Sequence, residues 1–188
     1  LNIGNNSLAG TINTSIINGG SGTAVINFKE TDASYTFLPQ LTGTLSVNQL
    51  GTGTTILSGA NTYSGGTVIT AGTLQAGNES AFGTGAVTND ATLDIGSYAL
   101  NVVGIYTQSL AASTLKVGID GVNNGSIIAT AAPNITGGVF DLTVSSYVPN
   151  NTPYTIIDAA AAGTYTGIII TDNSAVLDFA GTSSGNDF

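Results

Sequence analysis

The sequence contains no cysteine and no histidine, and these two absences exclude much of enzyme and metal chemistry. No metal site built from thiolates or imidazoles can form. A Ser-His-Asp triad and a Cys-His pair, two common arrangements for nucleophilic catalysis, are also impossible. Methionine and tryptophan are absent as well.

Basic residues are almost missing. Lys29 and Lys116 stand against 11 acidic residues in the 188-residue chain, which gives a formal net charge of -9. Proteins bind a phosphate backbone through a positively charged surface, and anionic membranes attract the same kind of surface. The sequence therefore predicts no nucleic-acid partner and disfavours binding to anionic membranes.

Long apolar runs are missing too, since no stretch approaches the roughly 18 to 20 residues of a membrane-spanning helix. The chain begins with Leu1 and shows no basic segment followed by an apolar one, so we expect a mature product or an excised piece. Hydrophobic residues nevertheless make up 41% of the chain. That share does not fit a disordered protein, and the abundant Thr, Ser, Asn and Gly favour an all-β fold.

Short runs of alternating apolar and polar residues recur along the chain, as half-buried strands require. They lie at 45–47, 67–69, 73–76, 92–95, 114–119 and 140–144. Gly-rich or Asn-rich turns separate them, at 18–20, 51–53, 64–66, 71–72, 83–85 and 123–125. The strands are therefore predicted to be short.

Four leucines indicate a repeat. Leu57, Leu74, Leu93 and Leu115 lie in similar runs and follow one another at intervals of about 20 residues. A repeat of about 20 residues is typical of a β-solenoid, in which equivalent apolar residues form an interior ladder. At about 20 residues per coil the chain forms roughly nine coils of a parallel β-helix. A β-sandwich built from hairpins is the alternative that periodicity leaves open.

One stretch carries a resemblance to a known family. Residues 51–77 read GTGTTILSGANTYSGGTVITAGTLQAG. They resemble the autotransporter-associated β-strand repeat of passenger domains from type V secretion, and the similarity continues to Ile95. Upstream, 35–45 resembles the strands that usually precede this repeat. Downstream, segments 106–117, 138–142 and 153–159 are similar to the last passenger coils before the outer-membrane barrel.

This resemblance implies a right-handed, single-stranded parallel β-helix displayed or released outside a bacterial outer membrane. The whole chain, 1–188, is then one solenoid, with upstream coils in 1–50, the repeat in 51–96 and C-terminal coils with a cap in 97–188. The implied partners are a host or sister-cell surface or matrix, other copies of the chain, and a cognate outer-membrane β-barrel in the full-length precursor.

The turn after Leu57 is the best-marked loop. Asn61 can hydrogen-bond to nearby backbone, and Gly65 and Gly66 tolerate positive φ, so this motif is interpreted as a tight structural turn with Tyr63 folded over an edge. The alternative makes Tyr63 a stacking platform for a sugar ring.

Carboxylates are the remaining groups for acid-base chemistry. The pairs Asp90 with Asp94 and Asp172 with Asp178 are weighed as a glycosidase pair, but their positions favour turns and solvent-facing strand sites.

Calcium takes oxygen ligands, yet the glycine run at 19–24 has Ala24 where a calcium roll needs Asp. Lys29, Glu30 and Asp32 are interpreted as an exposed loop. No catalytic residue, cofactor site or metal site is predicted.

The predicted function is that of an extracellular structural and adhesive stalk. Two alternatives remain: a self-assembling β-solenoid filament or matrix protein, and a polysaccharide-cleaving β-helix enzyme that uses two Asp residues.

Overall fold

The computed structural model describes residues 1–120, 123–145 and 154–172. All regular structure in these ranges is β-strand. The strands are β1 (Asn2–Ser7), β2 (Ile16–Asn18), β3 (Val25–Glu30), β4 (Tyr35–Phe37), β5 (Gln40–Thr42), β6 (Ser46–Gln49), β7 (Thr54–Leu57), β8 (Thr67–Ile69), β9 (Thr73–Ala76), β10 (Val87–Asn89), β11 (Thr92–Gly96), β12 (Ala99–Val102), β13 (Tyr106–Gln108), β14 (Thr114–Ile119), β15 (Ser126–Ala129), β16 (Asn134–Ile135), β17 (Val139–Val144), β18 (Ile157–Ala159), β19 (Thr164–Tyr165) and β20 (Ile169–Asp172). The described ranges contain no helix that could cross a membrane.

The strands stack into a solenoid with three faces. An eight-stranded sheet, here called the long sheet, has the order β1-β3-β6-β8-β10-β13-β16-β19. A seven-stranded second sheet runs β20-β17-β14-β11-β9-β7-β4, and the third face carries the short sheets β2-β5 and β12-β15-β18. The chain visits the long sheet, the second sheet and the third face in turn, as in β13, β14 and β15.

Neighbouring strands pair in parallel in all of these sheets, for example β6 with β8 and β7 with β9. Hairpins join antiparallel strands, whereas parallel pairing requires the chain to travel around before it returns. The predicted parallel β-helix is therefore confirmed, and a hairpin-built β-sandwich does not fit.

The described residues form fewer coils than the roughly nine predicted, since the longest sheet has eight strands. The reason is that the coils lengthen toward the C-terminus. Paired positions on neighbouring coils are 20 apart at Val47 and Thr67, 25 apart at Leu115 and Phe140, and 30 apart at Asn134 and Thr164. Paired positions are also 25 apart in the first coil, at Asn2 and Asn27, so the shorter repeat that the leucines indicate holds only in the middle of the chain.

The core is a set of ladders inside the solenoid. Along most strands alternate residues are buried, as in β3, where Ile26 and Phe28 point inward and Asn27 lies between them, half-buried. The rings of Phe28 and Phe37 meet edge to face, with centroids 5.1 Å apart. Each buried large aliphatic side chain contributes about 2 kcal/mol of burial free energy, so stacked ladders are the main source of stability.

The third face is irregular in the middle of the chain. In the fully described stretches from β7 to β8 and from β9 to β10, no strand forms on this face. Backbone bonds still link the coils there, because Thr62 N donates to Leu41 O at 2.9 Å and Asn61 N donates to Ser80 O at 3.1 Å. The predicted turn motif lies in this irregular part.

Candidate functional site

Asn61 connects three coils. Its side chain is 2% exposed. The Oδ1 atom accepts a hydrogen bond from Leu41 N at 2.8 Å, and Nδ2 donates to Ala81 O at 2.6 Å. Leu41 and Ala81 lie one coil before and one coil after Asn61, so the amide replaces the strand pairing that is missing on this face. A short polar side chain with one donor and one acceptor group fits this position.

Tyr63 is fully buried. Its hydroxyl lies 2.6 Å from Thr67 Oγ1 in a buried hydrogen bond. Burial raises the pKa of the Tyr63 phenol well above its ordinary value, and the bond to Thr67 offsets only part of that rise. Gly83 lies against the ring, because a Cβ there would come within 3.0 Å of Tyr63 Cδ1. The ring therefore presents no face to a sugar.

The two glycines of the motif are required by close backbone contacts. A Cβ on Gly65 would collide with the carbonyl oxygen of Leu45. Gly66 has a φ of +90°, and its Cβ would lie 3.0 Å from Ala86 O. Coils can approach this closely only where the side chain is a hydrogen atom.

Three of the four predicted ladder leucines stack directly. Leu74 pairs with Leu93, and Leu93 pairs with Leu115. Leu57 is buried as well, but it pairs with Phe37 and Ala76 in a neighbouring ladder, while Thr55 occupies the rung beside Leu74. The leucine pattern assigns Leu57 to the position beside Leu74, but Leu57 lies two residues further along the strand. It is still buried, because a shift of two residues keeps a side chain on the same face of a strand.

Two of the four candidate carboxylates, Asp90 and Asp94, lie at the outer side of the solenoid. Asp90 and Asp94 are half-buried, and Asp94 Oδ1 accepts a hydrogen bond from Gly96 N at 3.0 Å, which forms a local turn. Asp172 ends β20, and Asp178 lies outside the described residues. In the described ranges no group of three or more His, Cys, Asp or Glu side chains could hold a metal ion.

One interpretation of the sequence was wrong. Glu30 does not lie in an exposed loop, because it is the last residue of β3 and is fully buried. Thr55 and Gln49 donate to Glu30 Oε1 at 2.6 and 3.2 Å, and Asp32 N donates to Oε2 at 3.0 Å. The alternation of Ile26 and Phe28 already places Glu30 on the inward face. The alternation therefore predicts burial of Glu30, whereas the exposed-loop interpretation was based on its charge.

A second buried polar cluster lies further along the interior of the long sheet. Asn89 Nδ2 donates to Thr114 O at 2.9 Å and to Gln108 Oε1 at 3.2 Å. The Tyr106 hydroxyl donates to the same Gln108 oxygen at 2.6 Å. Nothing in the repeat pattern distinguishes these inward amides from ordinary polar strand residues, so sequence reasoning missed them.

The outer surface of the long sheet is nearly free of charge. Its eight strands contain one carboxylate, Glu30, which points inward, and one cation, Lys29. Asn48 donates to Asn27 and Asn27 donates to Asn2, each at 2.9 Å, and together they form an outward amide ladder. The ladder continues through Val68, which is 38% exposed, and Thr88.

A shallow groove of about 310 Å³ crosses this outer surface. It is lined by Val25, Ser46, Asn48, Gly65, Gly66, Thr67, Val68, Ala86 and Thr88. Small side chains and glycines form its floor, with valines beside them. The outer surface of the second sheet differs, because Asp94, Lys116 and Asp141 pair in register along it.

Comparison with known proteins agrees with this geometry. Residues 47–76, which span β6 to β9, match the family described as Passenger-associated-transport-repeat. Residues 47–76 are a passenger repeat. The predicted resemblance to autotransporter passengers that carry this repeat is thereby confirmed, and the match overlaps the predicted repeat segment 51–96.

A curated relative supports the same assignment. The chain is 40% identical over 80 residues to a protein named Adhesin BmaC autotransporter from Brucella suis biovar 1 (strain 1330). The alignment covers 43% of this chain but 2% of the relative, so the chain spans a small part of that protein's length. No solved structure matches the chain. The turn motif of Asn61, Tyr63, Gly65 and Gly66 lies within residues 47–76, the segment that matches the passenger repeat.

Proposed function

We propose that this chain is a segment of the extracellular stalk of a bacterial autotransporter passenger, and that the outer surface of its long sheet carries adhesion. The stack of parallel coils around a passenger repeat is the observation that supports this most strongly. The relative's name, an adhesin autotransporter, points in the same direction. In the full-length precursor the segment is joined to an outer-membrane β-barrel and displayed on the cell surface.

The charge distribution supports the choice of surface. Bacterial and host surfaces are rich in negative charge, and a chain with a net charge of -9 is repelled by them at long range. The outer surface of the long sheet opposes contact least, because it exposes Asn, Thr, Ser and Val with a single cation at Lys29. The outer surface of the second sheet carries Asp94 and Asp141 on either side of Lys116, so its net charge is negative.

The size of this surface predicts weak contact by one segment. Eight strands about 4.8 Å apart span roughly 35 Å, and the longest of them, with six residues, is about 20 Å long. The sheet therefore covers at most roughly 700 Å², less than the about 800 Å² per partner of a stable interface. Many successive coils in a long passenger repeat the contact, and multivalency then raises the overall avidity. The same surface supports homotypic self-association.

We infer that the segment has no catalytic role. Asp94 bonds to local backbone, Glu30 is enclosed in the interior where no outside substrate reaches it, and the passenger repeat is built from turns and ladders. The host or matrix partner is recognised through neutral amide, hydroxyl and small apolar groups.

Beads coated with the purified chain test the proposal. They are expected to bind cultured host cells and sister cells several-fold more than beads coated with an unrelated protein. The double variant Val68→Glu and Thr88→Glu places two charges on the long sheet and is expected to remove that binding. The matched control, Ile56→Glu with Gln75→Glu, places two paired charges on the second sheet and is expected to retain it. Equal binding by coated and control beads contradicts the adhesive function, and equal loss in both variants contradicts the assigned surface.

A further inference from the structure

The interior of the solenoid, where β3 meets the start of the passenger repeat, contains a nucleophile, a base and an amide around one carboxylate oxygen. Thr55 Oγ1 lies 2.6 Å from Glu30 Oε1, and Gln49 Nε2 lies 3.2 Å from the same oxygen. All three side chains are fully buried. In the next coil the paired interior positions are apolar, with Ile69 beside Gln49 and Leu74 beside Thr55.

Each group is held in a suitable chemical state. The Thr55 hydroxyl donates to the carboxylate, which is the arrangement in which a general base activates an alcohol. The Gln49 amide is fixed by further bonds from Nε2 to Gly51 O at 3.1 Å and Gly53 O at 3.4 Å. Its carbonyl atom Oε1 is buried without a hydrogen-bond partner, an unusual state for a buried polar atom.

We propose that Thr55 and Gln49 condense into an intramolecular ester, with Glu30 as the proton-transfer residue. Thr55 Oγ1 attacks Gln49 Cδ, and its proton passes to Glu30 Oε1. A C–O bond forms, and the C–N bond breaks with its electron pair on nitrogen. Glu30 returns the proton to that nitrogen, which leaves as ammonia. Nothing is oxidised or reduced, and the carboxylate is regenerated.

The surroundings favour this product and set its rate. Ammonia leaves the protein and is protonated in water, which opposes the reverse reaction. Water has little access to the buried ester, so hydrolysis is slow. No donor faces Gln49 Oε1, so the negative charge that develops there is unstabilised and the reaction is a slow, single event in each chain.

The ester ties β6 to β7 across the corner formed by residues 50–53. It supplies a covalent link in a chain that has no cysteine for a disulfide. The cluster of Asn89, Tyr106 and Gln108 is an internal comparison, because it has buried amides and a hydroxyl but no carboxylate among its bonds. We expect that cluster to stay unreacted.

Mass spectrometry of the folded full-length chain tests the proposal. The intact protein is expected to become lighter than its sequence mass by one molecule of ammonia. Trypsin cleaves after Lys29 and Lys116, and the fragment 30–116 is expected to carry the whole loss. Tandem spectra of that fragment are expected to lack backbone fragment ions between positions 49 and 55.

Four variants separate the chemistry from simple misfolding. Thr55→Val and Glu30→Gln are expected to keep the full mass, whereas Thr55→Ser keeps a hydroxyl and is expected to lose ammonia. Thr67→Val removes another buried hydroxyl, the partner of Tyr63, and is expected to lose ammonia like the parent. A folded parent protein that retains its full sequence mass overturns the proposal. Ammonia loss in Thr55→Val, or a mass gain that indicates hydrolysis of Gln49 to Glu, also overturns it.

Discussion

Asn61 shows how much of this solenoid depends on a single polar side chain. On the irregular third face its amide accepts from the coil before it and donates to the coil after it. Both bonds are buried, and a buried polar group left without a partner costs about 1–3 kcal/mol. The side chain therefore stabilises two coil contacts at once.

Replacing Asn61 with Asp is expected to lower the free energy of unfolding by about 3 kcal/mol, because the carboxylate can still accept from Leu41 N but cannot donate to Ala81 O. It instead places negative charge against that carbonyl. Urea unfolding followed by circular dichroism measures the change. Asn101→Asp is the matched control, because Asn101 is exposed on β12, and it is expected to change stability by less than about 0.5 kcal/mol. Equal effects at the two positions contradict the bridging role.

The sequence predicts that Asn61 lies in a turn, but it does not predict the hydrogen-bond partners of its side chain. Asn followed by glycines indicates a turn, and the sequence suggested bonds to nearby backbone. The structure instead places those bonds one full coil away on each side, at Leu41 and Ala81. Local propensity carries no information about which coil lies next to a loop, so the bridging role follows only from the stack.

At the scale of elements, the parallel ladders set the stability of the stack. Leu93 in β11 lies between Leu74 in β9 and Leu115 in β14 and is 1% exposed. A cavity at this position faces two coils, and each coil of a solenoid contacts only its neighbours. Loss of one rung therefore weakens two inter-coil contacts.

Leu93→Ala is expected to lower the free energy of unfolding by about 2–5 kcal/mol, because the substitution removes buried surface and leaves a cavity. Val103→Ala is the control, since Val103 is half exposed, and it is expected to cost less than about 0.5 kcal/mol. Chemical denaturation of both variants gives the comparison. If Leu93→Ala lowers the free energy of unfolding no more than Val103→Ala does, the ladder does not stabilise the stack.

The alternation of apolar and polar residues predicted six of the fifteen strands on the two main sheets: β6, β8, β9, β11, β14 and β17. It works there because each strand has one buried and one outer side. The spacing of the leucines, a separate signal, misplaced Leu57 by two positions, because a shift of two leaves the side chain inside and leucine spacing alone cannot detect it. The alternation failed for the third face near Asn61, where side-chain bonds replace strand pairing and no alternation exists to be read.

At the scale of the whole molecule, two buried phenols link the fold to pH. Tyr63 and Tyr106 are fully buried in different coils. Burial raises the pKa of each phenol above its ordinary value of 10.0, partly offset by hydrogen bonds to Thr67 and Asn89 respectively. In the unfolded chain both phenols ionise near the ordinary value. The folded and unfolded states therefore bind different numbers of these protons only above about pH 10.

The stack is accordingly expected to lose stability as the pH rises above 10.0. Below that pH both states hold both protons, so the contribution of the buried phenols is fully present. Above it the unfolded state releases protons first, and the free energy of unfolding falls by up to about 1.4 kcal/mol per pH unit for each tyrosine. Urea unfolding from about pH 8 to about pH 11 measures this slope.

The variant Tyr106→Phe distinguishes the effect of phenol ionisation on stability from other effects of alkaline pH, because it removes one ionisable group and keeps the ring. The part of the slope that Tyr63 and Tyr106 supply together is expected to halve, whereas the contribution of Tyr35, whose pKa burial also raises, is expected to stay. Because the two tyrosines lie in different coils, removal of one should leave the contribution of Tyr63 intact. An unchanged slope means that other groups govern the alkaline transition. A slope that disappears entirely means that Tyr63 ionises without unfolding, which its complete burial argues against.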